Sequence, residues 1–170
     1  MSWHEEVEGI RARREIARAM GGPERVARQH DRGRLTIRER IDGLVDEGSF
    51  TEIGQIAGAA TYRDGTLTSF VPDPYVAGLA KLNGRDVVVA GEDFTVRGGS
   101  GSGPGERNKR DVAFAMAREY RVPVVQLLDG AGASIASIES MGRSYLPNSC
   151  LLYTSPSPRD RTRSRMPSSA

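Results

Sequence analysis

Hydrophobic and polar positions alternate along the chain in ways that change character several times. Residues 4 to 20 are rich in Glu, Arg and Ala and contain no proline, which predicts a charged helix that ends at Gly21-Gly22-Pro23. A second helix follows to about His30. Thr36-Ile37-Arg38-Glu39 has the form of a capping box, in which the Thr hydroxyl and the Glu carboxylate each satisfy a backbone donor of the other. Ile37, Ile41, Leu44 and Val45 then recur at helical spacing, and Glu47-Gly48-Ser49 marks the stop. Phe50 to Ile56 reads as a strand, and Thr61 to Pro74, with Asp64-Gly65 and two prolines, as a loop. Tyr75 to Leu82, Asn83-Gly84 and Arg85 to Ala90 form a hairpin pattern, because Asn-Gly supplies the positive φ angles of a type I′ turn.

Beyond the hairpin, Gly98 to Gly105 must be a loop, Arg107 to Tyr120 a helix, Pro123 to Asp129 a buried strand, and Ser134 to about Gly142 another helix. Strands that alternate with helices after position 85 predict an α/β domain with a parallel component. There is no internal repeat. From Cys150 onward no periodicity of either kind is left.

That last segment changes the charge balance. Cys150 to Asp160 back-translates to a transposase-type sequencing adaptor, Ser164 to Ala170 to the outer part of the same adaptor, and Arg161-Thr162-Arg163 fills the length of a short index. Residues 150–170 are therefore expected to be a non-native tail, to be left out of the fold. The tail carries Arg159, Arg161, Arg163 and Arg165 against Asp160, a net of +3, so the formal +2 of the whole chain becomes about −1 for residues 1–149. A basic chain would invite a nucleic-acid or membrane surface as partner; with the tail removed, neither is expected.

Composition adds three bounds. With 170 residues, 38% of them hydrophobic, the chain can bury one core of ordinary size. The longest apolar runs, such as Val87-Val88-Val89-Ala90, fall far short of the roughly 20 residues a bilayer requires. The start, Met1-Ser2-Trp3-His4-Glu5-Glu6, lacks the basic and apolar regions of a signal peptide, so the expected compartment is the cytoplasm. One cysteine, Cys150, leaves no intramolecular disulfide and no multi-cysteine metal site, and no metal is expected.

Two turns of small residues could carry chemistry: Gly98 to Gly105, and Asp129-Gly130-Ala131-Gly132-Ala133-Ser134. Each precedes a predicted helix, where peptide N–H groups can converge on developing negative charge. A plain surface loop is the competing reading of each. The first turn lacks the Gly-Lys-Ser/Thr end of a P-loop and the spacing of a dinucleotide fingerprint. Ser134 lies one residue short of a nucleophile elbow and has no downstream histidine, so it reads as a helix cap. His4 and His30, in charged helices, read as exposed bystanders. Glu92 and Asp93 could serve acid/base chemistry, but no pairing partner is evident for either.

Four ordered motifs then resemble one family. Gly33 to Asp42 followed by Leu44 to Phe50, and Val76-Ala77-Gly78 to Asn83-Gly84-Arg85, are the first two. Asp93-Phe94-Thr95-Val96 with Gly98-Gly99-Ser100, and Val122-Pro123-Val124 to Leu128-Asp129-Gly130-Ala131-Gly132-Ala133, complete the series. Together they resemble the carboxyltransferase (beta) subunit of biotin-dependent acyl-CoA carboxylases of the propionyl-CoA type. The likeness covers residues 8 to 147 and implies an N-terminal piece of such a subunit. It implies a crotonase-like (ClpP/crotonase) fold, a superhelix of β-β-α units, here incomplete and preceded by N-terminal helices. The implied layout is a helical segment over 1–47, a truncated acyl-CoA-binding N-terminal domain over 48–149 and the tail over 150–170.

The same resemblance implies that a carboxyl group passes from carboxybiotin to the α-carbon of a short acyl-CoA, the thioester enolate being held by backbone donors. By position, Ala131 and Gly132 correspond to the family's oxyanion-hole pair, and Gly98, Gly99 and Ser100 to the loop lining the CoA site. Implied partners are a biotin carboxylase or biotin carrier subunit, which brings the biotin, and further copies of the full-length chain. The sequence departs from the family at one point: the usual Gly-Gly-Ala-Arg-Ile is Ala131-Gly132-Ala133-Ser134-Ile135, so an arginine is lost and one glycine gains a methyl group. A biotin-dependent decarboxylase and a non-catalytic acyl-CoA-binding module share these motifs and stand as alternatives.

Overall fold

A computed structural model describes residues 3–100, 108–130, 132, 135, 139 and 142. Its helices are α1 (His4–Ala19), α2 (Pro23–Asp31), α3 (Ile37–Asp42) and α4 (Lys109–Tyr120). Its strands are β1 (Thr51–Glu52), β2 (Gly58–Arg63), β3 (Thr66–Pro72), β4 (Tyr75–Leu82), β5 (Arg85–Glu92) and β6 (Val124–Leu127). Four strands form a mixed sheet in the order β1-β4-β5-β6, antiparallel except for β5 and β6, which run parallel with Val88 opposite Val124 and Gly91 opposite Leu127. The chain passes from β5 to β6 through α4, the helical crossover that a parallel pair requires.

The continuous apolar run in β5 follows from burial on both faces. Val87 and Val89 join Ile37, Ile41, Val76 and Val96 in a cluster under α3, whereas Val88 and Ala90 join Tyr75, Ala77, Ala113 and Ala117 under α4. Alternate residues of one strand thus serve two half-cores. Gly91 lets the layers meet, because a Cβ there would run into the Leu127 carbonyl and the Ile37 side chain. The Asn83-Gly84 turn has φ of 51° and 77°, and Asp46 accepts from both of its amides, at 2.9 and 2.7 Å.

The capping box at α3 forms as predicted. Thr36 Oγ1 accepts from the Glu39 amide, and the Glu39 carboxylate accepts from the Thr36 amide at 2.7 Å. The helix is shorter than the spacing implied, ending at Asp42 with Gly43 as its cap, and Leu44 and Val45 enter the core from the turns beyond it. The strand expected over 50–56 is confined to Thr51–Glu52, the pair in register with β4, and contact ends with the Ile53 amide donating to the Ala77 carbonyl at 2.9 Å. The loop expected over 61–74 is instead most of an exposed antiparallel hairpin, β2 and β3, turned by Asp64 and Gly65 at φ of 51° and 77°. Its strands bury little, so the alternation that marks a strand is faint, and the Asp-Gly pair was the informative signal.

The strand expected over 123–129 spans only Val124–Leu127 and is half-buried rather than buried, since it lies at the sheet edge. The helix expected over 134–142 and the tail over 150–170 lie outside the described residues, apart from Ile135 and Glu139, which are helical, and Gly142. Among the described residues no helix is long and apolar enough to cross a membrane, and no group of His, Cys, Asp and Glu could hold a metal ion.

Two stability measurements check this architecture. Ile41 is fully buried whereas Leu35 is 55% exposed. Ile41→Ala should therefore cost about 2–5 kcal/mol in urea unfolding, and Leu35→Ala less than about 0.5 kcal/mol; equal costs would contradict the placement of α3. The second concerns pH. The hydrogen bond from His30, with those from Thr36, holds the Glu39 carboxyl below its ordinary 4.5. Stability from a carboxylate depressed in this way is present above the unfolded value and lost as pH falls through the folded one. Glu39→Gln should flatten the acid limb of the stability curve below about pH 4.5, and an unchanged limb would remove Glu39 from that role.

Candidate functional site

The two small-residue turns, 30 positions apart in sequence, meet in space. After β5 the chain turns through Asp93, whose buried carboxylate accepts from the Ile37 amide at 3.3 Å, from the Thr95 amide at 2.8 Å and from the Thr95 hydroxyl. A short 3-10 turn at Arg97–Gly99 follows, with Gly98 and Gly99 at φ of 65° and 72°. Gly99 is pressed against the second turn: a Cβ on it would lie 2.6 Å from the Asp129 carbonyl oxygen and 3.1 Å from Gly130 Cα. Ser100 Oγ donates to the Gly132 carbonyl at 3.0 Å. Gly98, Gly99, Ser100 and Gly132 are thus brought to one junction, while Ala131 lies outside the described residues.

Gly132 itself has φ of 93°, a conformation that L side chains rarely adopt, and the position a Cβ would occupy has nothing within 4 Å. One side of this backbone is open to an approaching group while its carbonyl is tied down. The site's second edge is equally anchored. The Asp129 carboxylate accepts from Gln29 of α2 at 3.4 Å and lies 3.9 Å from both Arg34 and Arg40, and the Asp129 amide donates to Glu92 at 3.4 Å.

Sequence reasoning found no partner for Glu92 or Asp93, and the structure corrects this. Glu92 is ion-paired to Arg110 of α4, and Asp93 is the acceptor for three donors. Nothing in the sequence spacing reveals a pair 18 positions apart that a crossover brings together. Arg110 also lies 5.0 Å over the Tyr75 ring, and burial pushes the Tyr75 phenol up to about 12, so it stays protonated. Behind these, Lys109 and Arg38 share the Glu52 carboxylate, at 3.4 and 2.9 Å, and burial lowers the Lys109 pKa. His30 is exposed as expected but is 2.9 Å from the Glu39 carboxylate rather than a bystander. Ser134 lies outside the described residues.

Comparison with known proteins places this geometry. Residues 28–146 match the family described as the carboxyl transferase domain. The carboxyltransferase subunit of propionyl-CoA carboxylase from Haloferax mediterranei is 37% identical over 146 residues, 84% of this chain and 28% of that protein. The 12S subunit of methylmalonyl-CoA carboxyltransferase from Propionibacterium freudenreichii subsp. shermanii is 34% identical over 147 residues, with the same coverage. The crystal structure of transcarboxylase 12S with methylmalonyl-coenzyme A and methylmalonic acid bound superposes with a TM-score of 0.67 at 33% identity, over 84% of this chain and 28% of that one. The chain therefore spans about a quarter of the length of the relatives it matches. Its mixed α/β fold, its motifs and their order make it a member of the carboxyl transferase domain family, propionyl-CoA carboxylase beta-chain-like.

Proposed function

We propose that this chain forms the acyl-CoA-binding front of a biotin-dependent carboxyltransferase that carboxylates the α-carbon of a short acyl-CoA. The contact of the Gly98–Ser100 loop with the Asp129–Gly132 turn is the observation that carries this reading. Small residues on both sides leave the backbone open to a thioester, and a fixed Gly132 peptide suits a developing enolate better than a mobile one. Carboxybiotin, delivered by a biotin carboxylase or carrier subunit, supplies the carboxyl group and then the base. On the protein side, the Ala131 and Gly132 peptides hold the thioester oxygen and Gly98, Gly99 and Ser100 line the CoA.

The succession β4, β5, α4 is one β-β-α unit, which supports a crotonase-like superhelix over 48–149, preceded by the helical segment of 1–47. The family match stops at residue 146, in keeping with a non-native tail over 150–170. Because the chain spans only about a quarter of the length of its relatives, on this reading the 170-residue chain by itself should carboxylate no acyl-CoA from free carboxybiotin. Measurable product would overturn that expectation.

Two variant pairs test the site. Gly99 and Gly48 share a positive φ, 72° and 68°, but only Gly99 is crowded. Gly99→Ala should speed hydrogen exchange at the Gly130 and Gly132 amides, and Gly48→Ala should leave it unchanged; equal behaviour would mean that the junction is not held by close approach. In the protein completed to the length of its relatives, Gly132→Val should lower turnover by about 10²–10³-fold, the loss of one oxyanion donor, with little change in acyl-CoA affinity. Ser134→Ala should cost only about 1 kcal/mol of stability. Normal turnover in the first variant beside a dead second one would move the chemistry from the backbone to the serine hydroxyl.

A further inference from the structure

The first two residues of α4 are both cations, Lys109 and Arg110, at the end of a helix where the dipole disfavours positive charge. Each is held there by a buried carboxylate of the four-stranded sheet. Lys109 lies 3.4 Å from Glu52 of β1, and Arg110 is ion-paired to Glu92 of β5, the two carboxylate side chains being 9% and 7% exposed. The start of α4 is therefore pinned to the sheet at two points by two similar pairs.

The two pairs lead to different places. Glu52 is shared with Arg38, which also donates to the Ala17 carbonyl at 3.3 Å, so this pair runs back into α3 and the end of α1. Glu92 instead faces the junction. One of its oxygens takes Arg110 and the other accepts from the Asp129 amide at 3.4 Å, while its Cβ lies 3.2 Å from where a Cβ on Gly99 would stand. A single carboxylate thus touches both small-residue turns. The Arg110 guanidinium fixes it, lying at the same time 5.0 Å over the Tyr75 ring, a combination that a planar, delocalised cation can make and an ammonium cannot.

We propose that Arg110 is a positioning residue: through Glu92 it sets the direction of the Asp129 amide and hence of the turn that runs on to Gly132, whereas its neighbour Lys109 serves the fold alone. The coupling stands on the contacts themselves, and its consequence for turnover rests on the function proposed above. A turn that drifts weakens donors whose interaction grows as charge develops, so turnover suffers more than substrate affinity.

Amide hydrogen exchange on the 170-residue chain tests the coupling. Arg110→Gln should speed exchange of the Asp129 amide about tenfold or more, while Lys109→Gln, which breaks the matching pair, should leave it at the unaltered rate. Arg110→Lys should restore part of the protection. The double variant Arg110→Gln/Glu92→Gln should do the same, because it removes the unpaired buried charge yet keeps an oxygen for the Asp129 amide. Far-UV circular dichroism checks that each variant keeps its helices. In the protein completed to the length of its relatives, Arg110→Gln should lower kcat about tenfold to a hundredfold with KM for acyl-CoA within about twofold, and Lys109→Gln should leave both unchanged. Equal exchange at Asp129 in the Arg110 and Lys109 variants would overturn the proposal, as would faster exchange in the Arg110 variant beside an unchanged kcat. No carboxyl transfer by the unaltered completed protein would instead sink the function proposed above, and the exchange comparison would still decide whether Arg110 governs the turn.

Discussion

A single buried carboxylate, Asp93, joins the parts of this fold that would otherwise be independent. It has no exposure, and a polar group removed from water is tolerated only where hydrogen-bond partners surround it. Its donors come from both sides of the chain: the Ile37 amide at the first turn of α3, and the Thr95 amide and hydroxyl in the turn beyond β5. Thr95 extends the connection, since its hydroxyl accepts from the Gly21 amide at the corner between α1 and α2, at 3.1 Å. Gly21 can sit there only without a side chain, because a Cβ would overlap the Thr95 backbone. Three helices and the end of the central strand are thereby referred to one point, and the Gly98–Ser100 loop starts from it.

The junction inherits its geometry from that anchoring rather than from its own few contacts. Of residues 98–100 only Gly99 is buried, and the loop is held by turn geometry and by Gly99 against Asp129 and Gly130. The opposite turn is held from below by Glu92, itself fixed by Arg110, and from the side by Gln29, Arg34 and Arg40. Backbone groups aimed at a substrate cost nothing to reorganise only when such supports are already in place. The polar network thus fixes both turns before anything binds, as the function proposed above requires.

Features written in adjacent residues were legible in the sequence. The capping box at Thr36 and the Asn83-Gly84 turn between β4 and β5 each depend on local chemistry, and each forms. The β2–β3 hairpin is not legible in the sequence, because its strands face solvent at most positions, hydrophobic alternation cannot mark them, and Pro72 and Pro74 point to a loop. At the site, the glycine-rich turns could be picked out by composition, but not their contact, which depends on the β5-α4-β6 crossover. The same crossover pairs Glu92 with Arg110, and long-range pairs of this kind leave no spacing to read.

Among the described residues, the two carboxylates and the phenol nearest the junction are engaged in holding it. Glu92 is paired with Arg110, Asp129 with the two arginines and Gln29, and the Tyr75 phenol is kept protonated by burial. A carboxylate that both carries an ion pair and orients a neighbouring amide is poorly placed to accept a proton from substrate, since protonation would release the turn it supports. Among the described residues, Glu92 and Asp129 therefore serve the junction as supports. On the function proposed above, the protein would contribute peptide donors and position while the base arrives with the group being transferred.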